Sequence, residues 1–248
     1  MRKSIRLIAA ALMTGAAIIP ATAQTEAPYT LDVKDFSELK VKHSVNVNYV
    51  CSQDSAGKVV FTATPQVAPM VMFSNDKNRL TIELAPEAAD LKGKGLPTVT
   101  VYSSMLQKVE NSGDSTVRAQ KLAPVPQLKL TVVGNGTIVA NDVKAHEVSA
   151  SINTGSGHIV IDGTANRANL QNIGVGPLEA GLLKAEDVKC KMLGTGPIDC
   201  YASESLKIMG MGSGKVIYDG NPKKVTNRGL GVKVIDLNAK PEEEKTEK

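Results

Sequence analysis

Gly-x-Gly recurs along the second half of the chain at a nearly fixed interval. The copies are Gly134-Asn135-Gly136, Gly155-Ser156-Gly157, Gly174-Val175-Gly176, Gly194-Thr195-Gly196, Gly212-Ser213-Gly214 and Gly229-Leu230-Gly231. A degenerate first copy is Gly113-Asp114-Ser115. Successive first glycines lie 21, 21, 19, 20, 18 and 17 residues apart, a period of about 19. Fixed-period self-similarity of this kind is the signature of a solenoid, in which each repeat buries its apolar face only against its neighbours.

The flanks of each copy alternate apolar and polar residues. Leu128-Lys129-Leu130-Thr131-Val132 and Val148-Ser149-Ala150-Ser151-Ile152 precede two of them; Ile138-Val139-Ala140 and Ile159-Val160-Ile161 follow. Alternation with period two means strands with one buried face. Two strands joined by a glycine corner, repeated every 19 residues or so, predict an all-β fold: a single-stranded parallel β-helix, or β-solenoid. Aligning the rungs predicts three inward columns. One is Leu130, Ala150, Leu170, Cys190 and Ile208. The second is Ile138, Ile159, Leu178, Ile198 and Val216. The third is Ala140, Ile161, Ala180, Cys200 and Tyr218. Aromatic residues make up only 3% of the chain and Trp is absent, so such a core must be aliphatic.

The 248 residues divide by pattern. Met1–Ala23 reads as a secretory signal peptide: Arg2, Lys3 and Arg6 are basic, Leu7–Ile19 is apolar, and Ala21-Thr22-Ala23 is a small-residue cleavage site. The apolar run of 13 residues is shorter than the roughly 20 needed to span a bilayer. Residues 24–110 hold strand-like runs without the glycine motif, such as Arg79-Leu80-Thr81-Ile82-Glu83-Leu84. They are expected to form an N-terminal cap and irregular first rungs. Residues 111–238 form the regular solenoid, and residues 239–248 a charged, disordered tail. Without the leader, 26 basic residues face 25 acidic ones, which gives no electrostatic case for nucleic acid. No second apolar span follows the leader, so no transmembrane segment is expected.

The run Phe36-Ser37-Glu38-Leu39-Lys40-Val41, the string Leu106-Gln107-Lys108-Val109-Glu110-Asn111-Ser112-Gly113 and the rungs up to Asp219-Gly220-Asn221-Pro222 carry a resemblance. Together they resemble the exported family known as putative auto-transporter adhesin, head GIN domain, common in Bacteroidetes-type bacteria. The resemblance extends from Phe36 to about Asp236. It implies a right-handed β-helix in the cell envelope, placed in the periplasm, at the cell surface or outside the cell. It supplies no catalytic residues. Gly113-Asp114-Ser115 departs from the pattern by lacking the second glycine, which leaves the regularity of that corner open.

Few residues suggest chemistry. The residue two after the first five Gly-x-Gly copies is apolar (Ile138, Ile159, Leu178, Ile198 and Val216) where a calcium-binding β-roll needs a carboxylate. Gly210-Met211-Gly212-Ser213-Gly214-Lys215 runs into Val216 and a strand, not into the Ser/Thr and helix of a phosphate loop. His43, His146 and His158 are scattered, and Asp162-Gly163 and Asp219-Gly220 read as turn pairs. No catalytic residue, metal ligand or cofactor is therefore assigned. Cys190 and Cys200 flank one corner and both phase inward, either as a disulfide or as small buried thiols.

One pattern points to a partner. The residues before the first glycines include the apolar Val133, Ile173, Leu193 and Met211, alongside Thr154 and Arg228. Simple alternation sends this set outward, as an interaction stripe. A phase shift at the corner would turn it inward instead. The leading functional expectation is an exported, non-enzymatic envelope module with an adhesin-like or scaffolding role. Its partner would be another envelope protein or a surface glycan, with an oligomer as a further option. The alternative is a carbohydrate-active β-helix enzyme. Such sites need aromatic platforms and convergent acids, and from Leu128 onward the only aromatics are Tyr201 and Tyr218.

Overall fold

The computed structural model describes residues 25–91 and 95–239. The expected leader, and all of the expected tail except Ala239, lie outside the described residues. The strands are β1 (Ala27–Asp32), β2 (Glu38–Val41), β3 (Asn46–Cys51), β4 (Lys58–Ala63), β5 (Val71–Asp76) and β6 (Arg79–Leu84). Next come β7 (Thr98–Ser103), β8 (Lys108–Asn111), β9 (Thr116–Gln120), β10 (Val125–Val132), β11 (Thr137–Ile152) and β12 (His158–Asn172). The last are β13 (Leu178–Met192), β14 (Ile198–Met211), β15 (Lys215–Asp219), β16 (Lys224–Leu230) and β17 (Lys233–Asp236). Two short 3-10 helices, Ala68–Met70 and Pro86–Leu91, are the helical elements of the described residues. The fold is a β-solenoid of about six turns.

The predicted columns form as hydrogen-bonded ladders. Leu130, Ala150, Leu170, Cys190 and Ile208 stand in parallel register. Ile138, Ile159, Leu178, Ile198 and Val216 form the second ladder. Every one of these side chains is buried, as is the third column from Ala140 to Tyr218. Rung-to-rung spacing of about 4.8 Å puts like side chains in van der Waals contact, so the core is a set of aliphatic stacks.

The rung itself differs from the two-strand unit expected from the sequence. The stretch after one glycine corner runs without a loop into the stretch before the next, giving strands of 16, 15, 15 and 14 residues. Each long strand turns its second corner at a bulge, where the register shifts, as between Ala140 and Val143. Asp142 sits there at φ 56°, and Asp162 one rung on accepts hydrogen bonds from Asn141 Nδ2 (2.6 Å) and the Asp142 N–H (2.7 Å). A bulge bends a strand while keeping its ladder nearly continuous, so the chain gives up few backbone bonds at this corner.

The glycine corners have a different cause. Gly134 and Gly155 do use positive φ (106° and 74°). Gly176 and Gly194 do not; a Cβ on either would collide with the carbonyl oxygen of Gly157 or Gly174 one rung below. Glycine is needed there because backbone stacks on backbone. Buried asparagines close two corners from inside. Asn111 Nδ2 donates to the carbonyls of Ser115 (2.8 Å) and Thr137 (3.1 Å). Asn172 Nδ2 donates to those of Gly176 (2.8 Å) and Pro197 (3.2 Å). The degenerate Gly113-Asp114-Ser115 corner is as regular as the others: Thr137 stacks on Thr116, and its N–H donates to the Ser115 carbonyl.

The N-terminal part departs from simple rung order. β2 lies between β6 and β8, and β3 between β7 and β9. The rung made by β6 and β7 is later in sequence but sits beneath the rung made by β2 and β3. Leu80 and Leu39 thereby extend the first inward column below Val109. Antiparallel pairs β1–β4, β4–β7 and β5–β6 finish that end. Phe61 stacks on Tyr29 (5.3 Å between centroids) and packs against Phe73 (5.8 Å), so an aromatic cluster fills the capped end.

Three changes test this account. Ile159→Ala in the middle of a stacked column is expected to cost about 2–5 kcal/mol in chemical denaturation. Gly194→Ala should cost about 1–3 kcal/mol through the backbone collision. Gly181→Ala, where a Cβ meets only the Asp199 Cβ at 3.9 Å, should stay within about 0.5 kcal/mol of the parent.

Candidate functional site

The corner residues preceding the glycines point outward. Hydrogen-bonded register places Met211 opposite Leu230. The ladder pairs of the residues just before them, Ile152 with Asn172, Asn172 with Met192 and Met192 with Gly210, put Ile173, Leu193 and Met211 on successive rungs. Ile173, Leu193, Met211 and Leu230 are therefore one straight column, with side chains 40%, 42%, 67% and 70% exposed. Val133 is only half-buried and stands two rungs below Ile173. The register corrects the sequence alignment at both ends of the stripe. The Gly155 corner carries one extra residue, so Asn153 and Thr154 share the position below Ile173. At the last rung Gly231, not Gly229, stacks against Gly212, so Leu230, two residues beyond Arg228, occupies the column. Val139, Val160 and Ile217, on the next face, are half-buried.

Charged side chains divide unevenly along the strand face beside this corner. In the N-terminal rungs they pair from rung to rung. Glu38 holds Arg79 at 2.6 Å and Lys108 at 3.7 Å; Lys40 holds Glu110 at 2.6 Å. In the C-terminal rungs the same face carries Lys189, Lys191, Lys207, Lys224 and Arg228, all exposed. None of these five forms an ion pair among the described residues. A shallow pocket of about 260 Å³ lies among Lys207, Lys224 and Arg228.

The histidines do not converge. His43 Nδ1 accepts the Leu84 N–H (3.2 Å). His146 Nε2 accepts Arg167 Nη2 (2.9 Å), which leaves its Nδ1–H for Asn166 Oδ1 (3.1 Å). His158 Nε2 faces Glu179 Oε1 at 3.0 Å. No group of three His, Cys, Asp or Glu with metal-site geometry exists among the described residues. An open groove of about 960 Å³ lies at the capped end, lined by His43, Ser44, Asp114 and Asn135. Within it Ser44 Oγ donates to Asp114 Oδ1 at 2.6 Å, and Ser115 Oγ is buried without a partner. Asp219 and Asp162 serve turns: hydrogen bonds from Asn238 Nδ2 and the Gly220 N–H hold the Asp219 carboxyl below the usual range.

Cys190 and Cys200 are free thiols in the structure, buried across one rung from each other, with sulphurs 3.8 Å apart. The neighbouring Cys200 and burial both push the Cys190 thiol well up, so Cys190 is no thiolate nucleophile near neutral pH. They pack as small apolar groups in two different columns. Among the described residues, no helix is long and apolar enough to cross a membrane.

A rod of stacked rungs with an outward apolar column is a β-solenoid, a repeat fold in which each rung contacts only its neighbours. The chain belongs to the family described as putative auto-transporter adhesin, head GIN domain, which matches residues 35–222. Several solved structures share the fold. A putative adhesin from Bacteroides fragilis superposes with a TM-score of 0.77 at 23% identity, covering 86% of this chain and 97% of that one. A protein from Parabacteroides distasonis, described as a putative lipid binding protein, gives 0.67 at 18%, covering 86% and 96%. A putative adhesin from Parabacteroides merdae gives 0.66 at 20%, with the same coverage. No curated protein matches the chain.

One carboxylate offers a test of the local electrostatics. Burial, and the Glu179 carboxylate stacked beside it, raise the Asp199 pKa, and its Oδ1 is buried without a partner. A raised acid favours the neutral form in the folded state. Stability is then full below the unfolded carboxyl range and falls as pH rises through the folded value. Asp199→Asn is expected to raise Tm at pH 7. The gain should vanish near pH 3, where both carboxyls are protonated.

Proposed function

We propose that this protein is an exported, non-enzymatic binding module of the cell envelope: a rigid rod that presents the corner ridge to a partner. The observation that carries this reading is the ridge. Monomeric proteins scatter single exposed apolar residues, but four in register on consecutive rungs form a continuous strip, which marks an interaction surface. Family membership supports the adhesin-like reading, and the fold neighbours described as adhesins or as a lipid binding protein are in keeping with a binding role. The leader-like segment Met1–Ala23 supports export.

Mass spectrometry of the protein from its source cells is expected to find a chain starting at Gln24 in the envelope fraction. An intact Met1 in the cytoplasm would end the export reading. Leu193→Glu should leave Tm within about 2 °C, because the site is already solvated, while releasing the protein from the envelope fraction. Unchanged retention would remove the ridge from the account.

A further inference from the structure

Building on the binding-module reading, we infer that the ridge docks the rod onto an anionic lipid bilayer. Two independent features converge at this corner. The first is the apolar column Ile173, Leu193, Met211 and Leu230, about 14 Å long at one rung per 4.8 Å. It stands on a convex corner, with exposed Val175 beside it, so the side chains project and form no groove.

The second is the charge on both flanks. On the strand face before the corner, Lys191 lies two residues from Leu193, and Arg228 two from Leu230. Lys189, Lys207 and Lys224 extend that basic strip. On the strand after the corner, Lys215 and Lys233 stack in register, both exposed. None of these seven cations has an ion pair among the described residues. The charges of the same face near the capped end are matched rung to rung. The acids nearest the ridge are Asp187, bound to Ser205 Oγ, Glu179, facing His158, and Asp199.

Apolar side chains protruding between rows of Lys and Arg suit the boundary of a bilayer. The apolar tips enter the acyl region, and the long basic side chains reach back to the phosphates. Other occupants fit less well. A second copy packed ridge to ridge would bring two sets of unpaired cations together. An acidic polysaccharide would use the cations but leave the apolar column wet, and the corner offers no aromatic platform: Tyr218 is buried and Tyr201 lies under Lys184.

The test is co-sedimentation of the purified protein with phosphatidylcholine vesicles, with and without about 30% phosphatidylglycerol. Binding is expected only with the anionic vesicles, weakening about tenfold or more between about 50 and 300 mM salt. Leu193→Ser with Met211→Ser should lose about tenfold or more, with Tm unchanged. Lys215→Glu with Lys233→Glu should lose as much and flatten the salt dependence. A control, Ser149→Glu on the neutral middle of the strand face, should bind as the parent does.

No binding to either vesicle overturns the proposal, as does binding unaffected by the Leu193 and Met211 changes. Self-association in sedimentation velocity that these two changes abolish would assign the ridge to a second copy. Capture of alginate dependent on the lysines but not on Leu193 and Met211 would assign the face to a polyanion. Either result overturns bilayer docking while leaving the binding-module reading intact. That reading fails separately, on an uncleaved cytoplasmic chain.

Discussion

Backbone stacked directly on backbone is the constraint on which this structure depends. Each rung hydrogen-bonds to the next through parallel ladders running from β10 to β17. A rung cannot bury its own apolar face, so the ladder and the side-chain columns form together or not at all. The same stacking sets the residue types at the corners. Where the carbonyl of one corner lies against the next, only a residue without Cβ fits, as at Gly176 and Gly194. Asn111 and Asn172 then satisfy carbonyls that the turn leaves facing inward.

The regular half of this architecture was legible in the sequence because its period is short and its alternation strict. The inward columns read from the glycine spacing coincide with the ladders residue for residue, from Leu130 to Ile208 and from Ile138 to Val216. The N-terminal end was not legible to the same degree. Alternation marks Leu80 and Ile82 as buried but says nothing of which strand lies beneath which, and β6 under β2 is a pairing without periodic signature. Nor did alternation reveal that the second corner of each rung is a bulge. The turn-forming Asp162-Gly163 pair was visible, but a bulge keeps the strand going where a turn would end it.

The outward column shows how far an offset of one or two residues carries. Counting back from each glycine selects Thr154 and Arg228, whereas the ladder selects Asn153 and Leu230. The difference is one residue at the Gly155 corner and two at the last, where Gly231 rather than Gly229 stacks against Gly212. Only the hydrogen-bonded register shows that four apolar side chains from Ile173 to Leu230 form an unbroken row. The unpaired cations beside that row were invisible in a net charge near zero, because their balancing acids sit on other rungs and faces.

The order of the first rungs has a mechanical consequence. In an ordinary solenoid a terminal rung peels away by breaking one ladder. Here β2 and β3 are each held on both sides, by β6 and β7 below and by β8 and β9 above. Tension on the start of the chain therefore meets a latch: the rung nearest the N-terminus in sequence cannot leave until a later one lets go. Among the described residues the far end has no such device, since β16 and β17 each pair on one side only. The rod should resist a pull at its beginning more than one at its end, so it has a direction in mechanical as well as chemical terms.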